Sequence, residues 1–186
     1  MISDDHLLSV LQLAKDGGVI GNTDLALEVT RARVFSRVLR TFNDLNHLLD
    51  IGSGGGLPGL VIANDFPELS ITLIDRREKR TDLLRRQAHR LRQGVLGASI
   101  DVICADVNSL HGNAIFDVIT SRSFGSPDVV LETALPLLAP SGHLLVSEPP
   151  NADGDRWPRE TLKRFNASLR LHNEESTSIA VIQRLP

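Results

Sequence analysis

Tyrosine is absent from this 186-residue chain, and phenylalanine and tryptophan bring the aromatic content to only 4%. So few rings exclude an extended base-stacking platform. A lone cysteine, Cys104, excludes an internal disulfide and fits a reducing cytoplasm. The six histidines are scattered, and no Cys/His group has zinc spacing, so no metal site is expected. No apolar run approaches the ~20 residues of a membrane span. The opening Met-Ile-Ser-Asp-Asp-His lacks the basic and apolar regions of a signal peptide. A cytoplasmic protein is expected. The net charge of -3 gives no global attraction to nucleic acid, so any such binding needs local basic patches.

Glycine, by contrast, is concentrated. Leu48–Ile51 is an apolar run that reads as a buried parallel strand, since nothing in it alternates. It leads into Gly52-Ser53-Gly54-Gly55-Gly56, and a helix is expected from Leu57 with Pro58 in its first turn. Strand, glycine turn and helix start make a nucleotide cradle. Two templates fit it. Gly54–Gly59 matches the dinucleotide pattern G-x-G-x-x-G, with Asp75 at about the expected ~20 residues beyond. Asp50, Gly52, Gly54 and Gly56 match acid-x-Gly-x-Gly-x-Gly, the S-adenosylmethionine loop, which takes in Ser53 and Leu57 as well. Asp50 tips the balance: a carboxylate there repels a pyrophosphate but attracts the ammonium of a methionine moiety, directly or through water.

The chain should form one domain, a short helical region at 1–45 followed by a cofactor-binding core at 46–186. Residues 4–16 read as a helix ended by Gly17-Gly18. Thr23-Asp24 caps a second, running to about Phe42 with a core stripe of Ala26, Leu27, Val34, Val38 and Phe42, widened by Phe35 and Leu39. Arg33, Arg37 and Arg40 share one face of it, as a solvated flank or a phosphate-contacting edge. Leu69–Ile74 is the second strand, and Asp75 at its end accepts ribose hydroxyls, caps the next helix, or does both. That helix, Arg77–Gln93, buries Leu83, Leu84, Ala88 and Leu91. With Arg76 it carries eight of the chain's twenty basic residues. Ile100–Ala105 is the third strand, with Cys104 read as a buried small hydrophobe. Asp106 follows, placed to bond an adenine amino group. Phe116–Thr120 is the fourth strand, before Ser121-Arg122-Ser123-Phe124-Gly125. A helix over Pro127–Leu138, a fifth strand over His143–Ser147, a helix over Pro158–Ala167 and a hairpin of Leu169–Asn173 with Ser178–Leu185 complete the chain.

Strand–helix units closed by an antiparallel hairpin give the expected fold class. It is α/β, class I methyltransferase Rossmann-like, with a mostly parallel seven-stranded sheet and helices on both faces. The Leu48–Gly59 loop, the Thr-Leu-Ile-Asp strand with Lys79-Arg80, and Phe116–Arg122 together resemble the glucose-inhibited division protein B family. The resemblance implies an S-adenosylmethionine-dependent enzyme that methylates guanine N7 of small-subunit ribosomal RNA, alone or in the small ribosomal subunit. It implies that Gly52 and Leu57 line the cofactor site, that Ala105-Asp106 meet the adenine, and that Arg122 sits beside cofactor and substrate. The family's Asn-Leu-Thr element has no counterpart here. Ser147-Glu148-Pro149-Pro150 stands where Leu-Lys-Gly is usual, an acid for a base near the expected RNA entrance, and Cys104-Ala105-Asp106 replaces Arg-Ala-Glu.

Guanine N7 has a lone pair and no proton, so no general base is needed, and the sequence offers none at the end of the fourth strand. The Asn/Asp-Pro-Pro-aromatic motif of exocyclic-amine methylation is missing. Arg122 becomes the substrate-positioning residue. Arg33, Arg37, Arg40, Arg76 and Phe124 are RNA-contact candidates, Phe124 by stacking on the base or else by packing in its loop. The alternatives are a methyltransferase for a small molecule and a cofactor-binding protein without activity.

Overall fold

The structure, a computed structural model, describes residues 4–95, 97–174 and 177–186. Seven strands form one sheet in the order β3-β2-β1-β4-β5-β7-β6. They are β1 (His47–Ile51), β2 (Ser70–Asp75), β3 (Ser99–Cys104), β4 (Phe116–Ser121), β5 (Leu138–Glu148), β6 (Ala167–Glu174) and β7 (Thr177–Arg184). The first five run parallel; β7 pairs antiparallel with both β5 and β6. This is the expected class I methyltransferase topology. The order reverses at β1/β4, where an open parallel sheet leaves a crevice at its carboxyl edge.

Helices α1 (Asp4–Asp16), α2 (Leu25–Leu39), α3 (Gly59–Asp65) and α4 (Glu78–Gly94) bury one apolar cluster, which includes Leu48, Leu73 and Leu145. A second cluster, with Leu49, Ile51 and Ile119, holds α5 (Pro127–Ala134) and Trp157 and Leu162 of the α6 region (Arg159–Arg164). Alternate residues of each central strand feed the two clusters, which is why their sequences are apolar without alternation.

Several expectations shift. Asp24 does cap α2, accepting the Ala26 amide at 2.9 Å, but Ala26 and Leu27 are exposed. Val34, Phe35, Val38 and Leu39 are buried as expected, Leu25, Val29 and Ala32 join them in place of Ala26 and Leu27, and the helix ends at Leu39. The turn after the glycines continues through Pro58, so α3 begins at Gly59 and not at Leu57. Leu83 is half-buried, and Thr81 and Gln87 are buried in α4 instead. β5 starts at Leu138, five residues before His143, with a register shift against β4. Cys104 is exposed, because β3 is an edge strand with only one neighbour. The hairpin joins β6 to β7 as expected; its Glu175-Ser176 tip lies outside the described residues.

Candidate functional site

The glycine loop is fixed from both sides of the sheet edge. The Gly52 and Ser53 amides donate to the Ile74 carbonyl at 2.9 and 3.1 Å, locking the loop onto the end of β2. Gly52 and Gly54 have φ of +67° and +53°, a region that side chains rarely occupy. Gln87 of α4, fully buried, donates to the Gly55 carbonyl at 3.1 Å and to the Val10 carbonyl of α1 at 3.2 Å.

Above this loop lies a cavity of about 310 Å³, walled by Gly52, Asp75, Arg76, Ala105, Asp106 and Phe124 among others. Asp75, 6% exposed, accepts the Gly54 amide on Oδ2 at 3.1 Å and the Arg77 amide on Oδ1 at 2.9 Å. It therefore caps the approach to α4 and still has a free lone pair on each oxygen. Arg80 stands 3.6 Å from Oδ2. Asp106 is exposed and caps a short 3₁₀ turn through the Asn108 amide at 2.9 Å. Ser123 takes φ of +58°, which turns Phe124 over the loop; a Cβ on Gly52 would lie 2.8 Å from the Phe124 ring. The cavity floor thus depends on glycine.

Asp50, Ser53, Gly54, Gly56 and Leu57 do not line the cavity. Asp50 is 1% exposed beneath the loop. Its Oδ1 accepts the Thr120 hydroxyl at 2.7 Å, while Oδ2 has no partner of full hydrogen-bond geometry. Burial raises its pKa to about 6, against the pull of Thr120, Ser53, the Gly59 amide and the Arg122 charge. In this structure Asp50 supports the loop from beneath and reaches the cavity only through its field. The Ser53 hydroxyl donates to the Asp50 carbonyl at 2.7 Å.

Arg122 leaves the end of β4 toward α2, where it forms an ion pair with buried Glu28. Arg31 reaches the same carboxylate at 3.0 Å. Burial acts to raise the Glu28 pKa, but the hydrogen bonds and charges of Arg122 and then Arg31 outweigh it and the net shift is downward. Neither Glu28 nor Arg31 is among the residues that the sequence pattern brings forward. The signal that could have found them is an acid on the apolar stripe of α2, three residues from Leu25 and four from Ala32.

The arginines of α2 are occupied elsewhere. Arg33 bonds Asp4 in a two-pronged pair at 2.5 and 3.0 Å and lies 3.7 Å from Asp65. Arg37 pairs with Glu174 of β6 at 2.5 Å, and Arg40 stacks on Phe66 at 5.1 Å. Glu28, in the first turn of α2, meets Arg122 after β4, whereas Arg40, past the other end of the helix, lies over Phe66 after α3 and does not line the cavity. The expected continuous basic face is broken up by these partners. Arg76, by contrast, is exposed on the cavity wall, and Arg77, Lys79, Arg86 and Arg90 are exposed nearby or along α4. Among the described residues there is no group of three or more His, Cys, Asp or Glu able to hold a metal.

Residues 30–182 match the GidB family, described as rRNA small subunit methyltransferase G. The chain belongs to this family. Proteins named ribosomal RNA small subunit methyltransferase G are similar to it. That of Coxiella burnetii (strain Dugway 5J108-111) is 33% identical over 125 residues, 67% of this chain and 56% of the relative. That of Hydrogenovibrio crunogenus is 36% identical over 101 residues, 54% of this chain and 44% of the relative. This GidB-family chain thus spans about half the length of the curated relatives it matches. Solved structures share the fold. Cofactor-bound Rv0187 from MTB superposes with a TM-score of 0.66 at 14% identity, covering 98% of this chain and 90% of that one. The putative methyltransferase yhhF of Escherichia coli gives 0.64 at 18% identity, covering 90% of each.

Proposed function

We propose that this GidB-family chain is an S-adenosylmethionine-dependent methyltransferase acting on guanine N7 of small-subunit ribosomal RNA, in the cytoplasm where ribosomes are assembled. The observation that carries the reading is the cavity at the carboxyl edge of β1 and β2, floored by Gly52 and walled by Asp75 and Asp106. The residues fit the cofactor. Gly52 leaves room that a Cβ would close, Asp75 has spare acceptor capacity for two ribose hydroxyls, and Asp106 offers an acceptor where an adenine amino group would lie. S-adenosylmethionine held by Gly52, Asp75 and Asp106 would supply a methyl group from its sulfonium to the guanine lone pair, an exchange of one S–C bond for one N–C bond with no proton to remove. The protein's part is positioning, which matches the lack of a free general base at the end of β4.

Glu148 does not oppose an RNA substrate. It shares the face of β5 with Val146, its side chain is fully buried, and its nearest cation is Arg156 Nε at 3.6 Å. Burial raises its pKa, offset in part by Arg156 and Trp157. Its buried position keeps it off the outer surface that an approaching strand would meet. Phosphate attraction falls instead to Arg76, Arg77 and Lys79 at the cavity rim.

The test is calorimetry with S-adenosylhomocysteine and NAD, followed by labelled methyl transfer to small ribosomal subunits that lack the modification. Binding of S-adenosylhomocysteine but not NAD, and label in guanine N7, are expected. Label appearing only in a small-molecule pool would reassign the substrate.

A further inference from the structure

A second cavity, about 270 Å³, opens at the ends of β4 and β5 on the α2 side, with Arg31, Ala32, Phe35, Arg122, Glu148 and Pro150 among its walls. It lies at the small end of ligand pockets, a size that suits one planar ring system. The β4 loop joins it to the cofactor cavity: Arg122 lines one and Ser123 and Phe124 line the other. Ala32, Phe35 and Pro150 give it apolar sides. Its charged groups are Glu148 of β5 and two guanidiniums held by one buried carboxylate, Glu28, which takes Arg31 on Oε1 and Arg122 on Oε2.

Two arginines sharing the Glu28 carboxylate leave several N–H donors unspent, since a guanidinium carries five donors and no acceptor. We infer that this cavity receives the target base and selects guanine over adenine, with the Arg31–Arg122 pair donating to guanine O6. The inference rests on the methyltransferase reading above. Adenine presents an amino donor at the equivalent position, and a donor facing donors leaves buried groups unpaired. Guanine O6 adjoins N7, so holding O6 from the α2 side leaves N7 turned to the shared β4 loop. Glu28 is a positioning residue with two effects. It fixes both arginines in one fork, and its charge offsets part of their repulsion toward the ring nitrogen that becomes cationic on methylation.

The experiment measures kcat/KM for methyl transfer to unmodified small subunits, with S-adenosylhomocysteine affinity by calorimetry as the second readout. Arg31→Ala should lower kcat/KM by roughly 10- to 100-fold, the range for removing a bidentate hydrogen bond to a base, with cofactor affinity unchanged. Arg31→Lys should not rescue it, because a point charge replaces attraction but not a planar fork. Glu28→Gln should lower kcat more than it raises KM. In duplex-free RNA substrates, replacing the target guanine by inosine, which keeps O6, should preserve transfer, and 2-aminopurine, which lacks it, should abolish it. Full rescue by lysine, or transfer to 2-aminopurine, overturns the inference, and the cavity then takes a phosphate. If the unaltered protein binds S-adenosylhomocysteine but methylates no ribosomal RNA, the reading beneath it fails instead, a distinct result.

Discussion

Gly54 and Asp75 are joined by a hydrogen bond of 3.1 Å that closes the glycine loop against the end of β2. The same carboxylate holds the Arg77 amide with its other oxygen. One side chain therefore sets the cavity floor, the entry of α4 and the spacing between them. Its burial at 6% exposure means that removing it leaves two amides without partners in a partly dry site.

Asp75→Ala should accordingly weaken S-adenosylhomocysteine binding by about 1–3 kcal/mol, the usual cost of removing hydrogen bonds to a charged group. Asp75→Asn keeps one acceptor oxygen and should fall between the two. Titration calorimetry on the three proteins gives the order. Equal affinities would remove Asp75 from the ribose site and leave it only the loop.

Asp50 predicts a pH effect. Its folded pKa of about 6 lies above the ordinary 3.8, because burial disfavours the carboxylate. A raised pKa means the folded state binds the proton more tightly, so this contribution is complete below about pH 4 and declines as pH rises through about 6. The shift corresponds to roughly 3 kcal/mol. Other carboxylates also contribute: Glu28, Asp4 and Glu174 are lowered and pull the opposite way, while Glu148 is raised and pulls the same way. Comparing wild type with Asp50→Asn cancels them. Urea unfolding at pH 4 and pH 7 should show the variant gaining on wild type by about that amount. A difference independent of pH would mean that Asp50 is charged throughout.

Gly59 has no unusual backbone angle, yet it has no room for a side chain. A Cβ there would stand 2.8 Å from Asp50 Oδ2 and closer still to Leu73 Cδ2. Gly59→Ala should cost about 1–3 kcal/mol by overpacking α3 against β1 and β2, read as a lower urea midpoint. An unchanged midpoint would show that α3 can slide outward freely.

The sheet is legible in the sequence because each central strand is a short apolar run bounded by turn residues, and Asp50, Gly52, Asp75 and Asp106 fall at strand ends by local spacing alone. What escapes a local reading is set at a distance. Glu28 and Arg122 meet across 94 positions, so only the packing of α2 beside β4 makes them a pair. Leu27 reads as core because Leu25 and Leu27 offer two phases of one helix, and contact with α3 and the sheet selects Leu25. Cys104 reads as buried by residue type, but its exposure depends on which strand is last in the sheet. The arginines of α2 have the spacing of a basic face; their acids lie on α1, α3 and β6.

Those partners decide where RNA should approach. Arg33 and Arg37 are neutralised within the chain and Arg40 is stacked on Phe66, so none of the three offers a free charge beside the cavity. Arg76, Arg77 and Lys79 are exposed in the approach and first turn of α4, where the helix field would favour acids over bases. Their clustering there fits a requirement for an anion next to the cofactor cavity. Replacing Arg76, Arg77 and Lys79 with glutamine should weaken RNA binding and flatten its salt dependence, by about 0.7 in log–log slope for each single-strand phosphate no longer neutralised. The matching change of Arg33, Arg37 and Arg40 should leave that slope unaltered while lowering thermal stability, since it removes ties from α2 to its neighbours. Filter binding over a salt series, with thermal unfolding alongside, separates the two surfaces. If the α2 set flattens the slope and the α4 set does not, the strand enters over α2 after breaking its internal ion pairs.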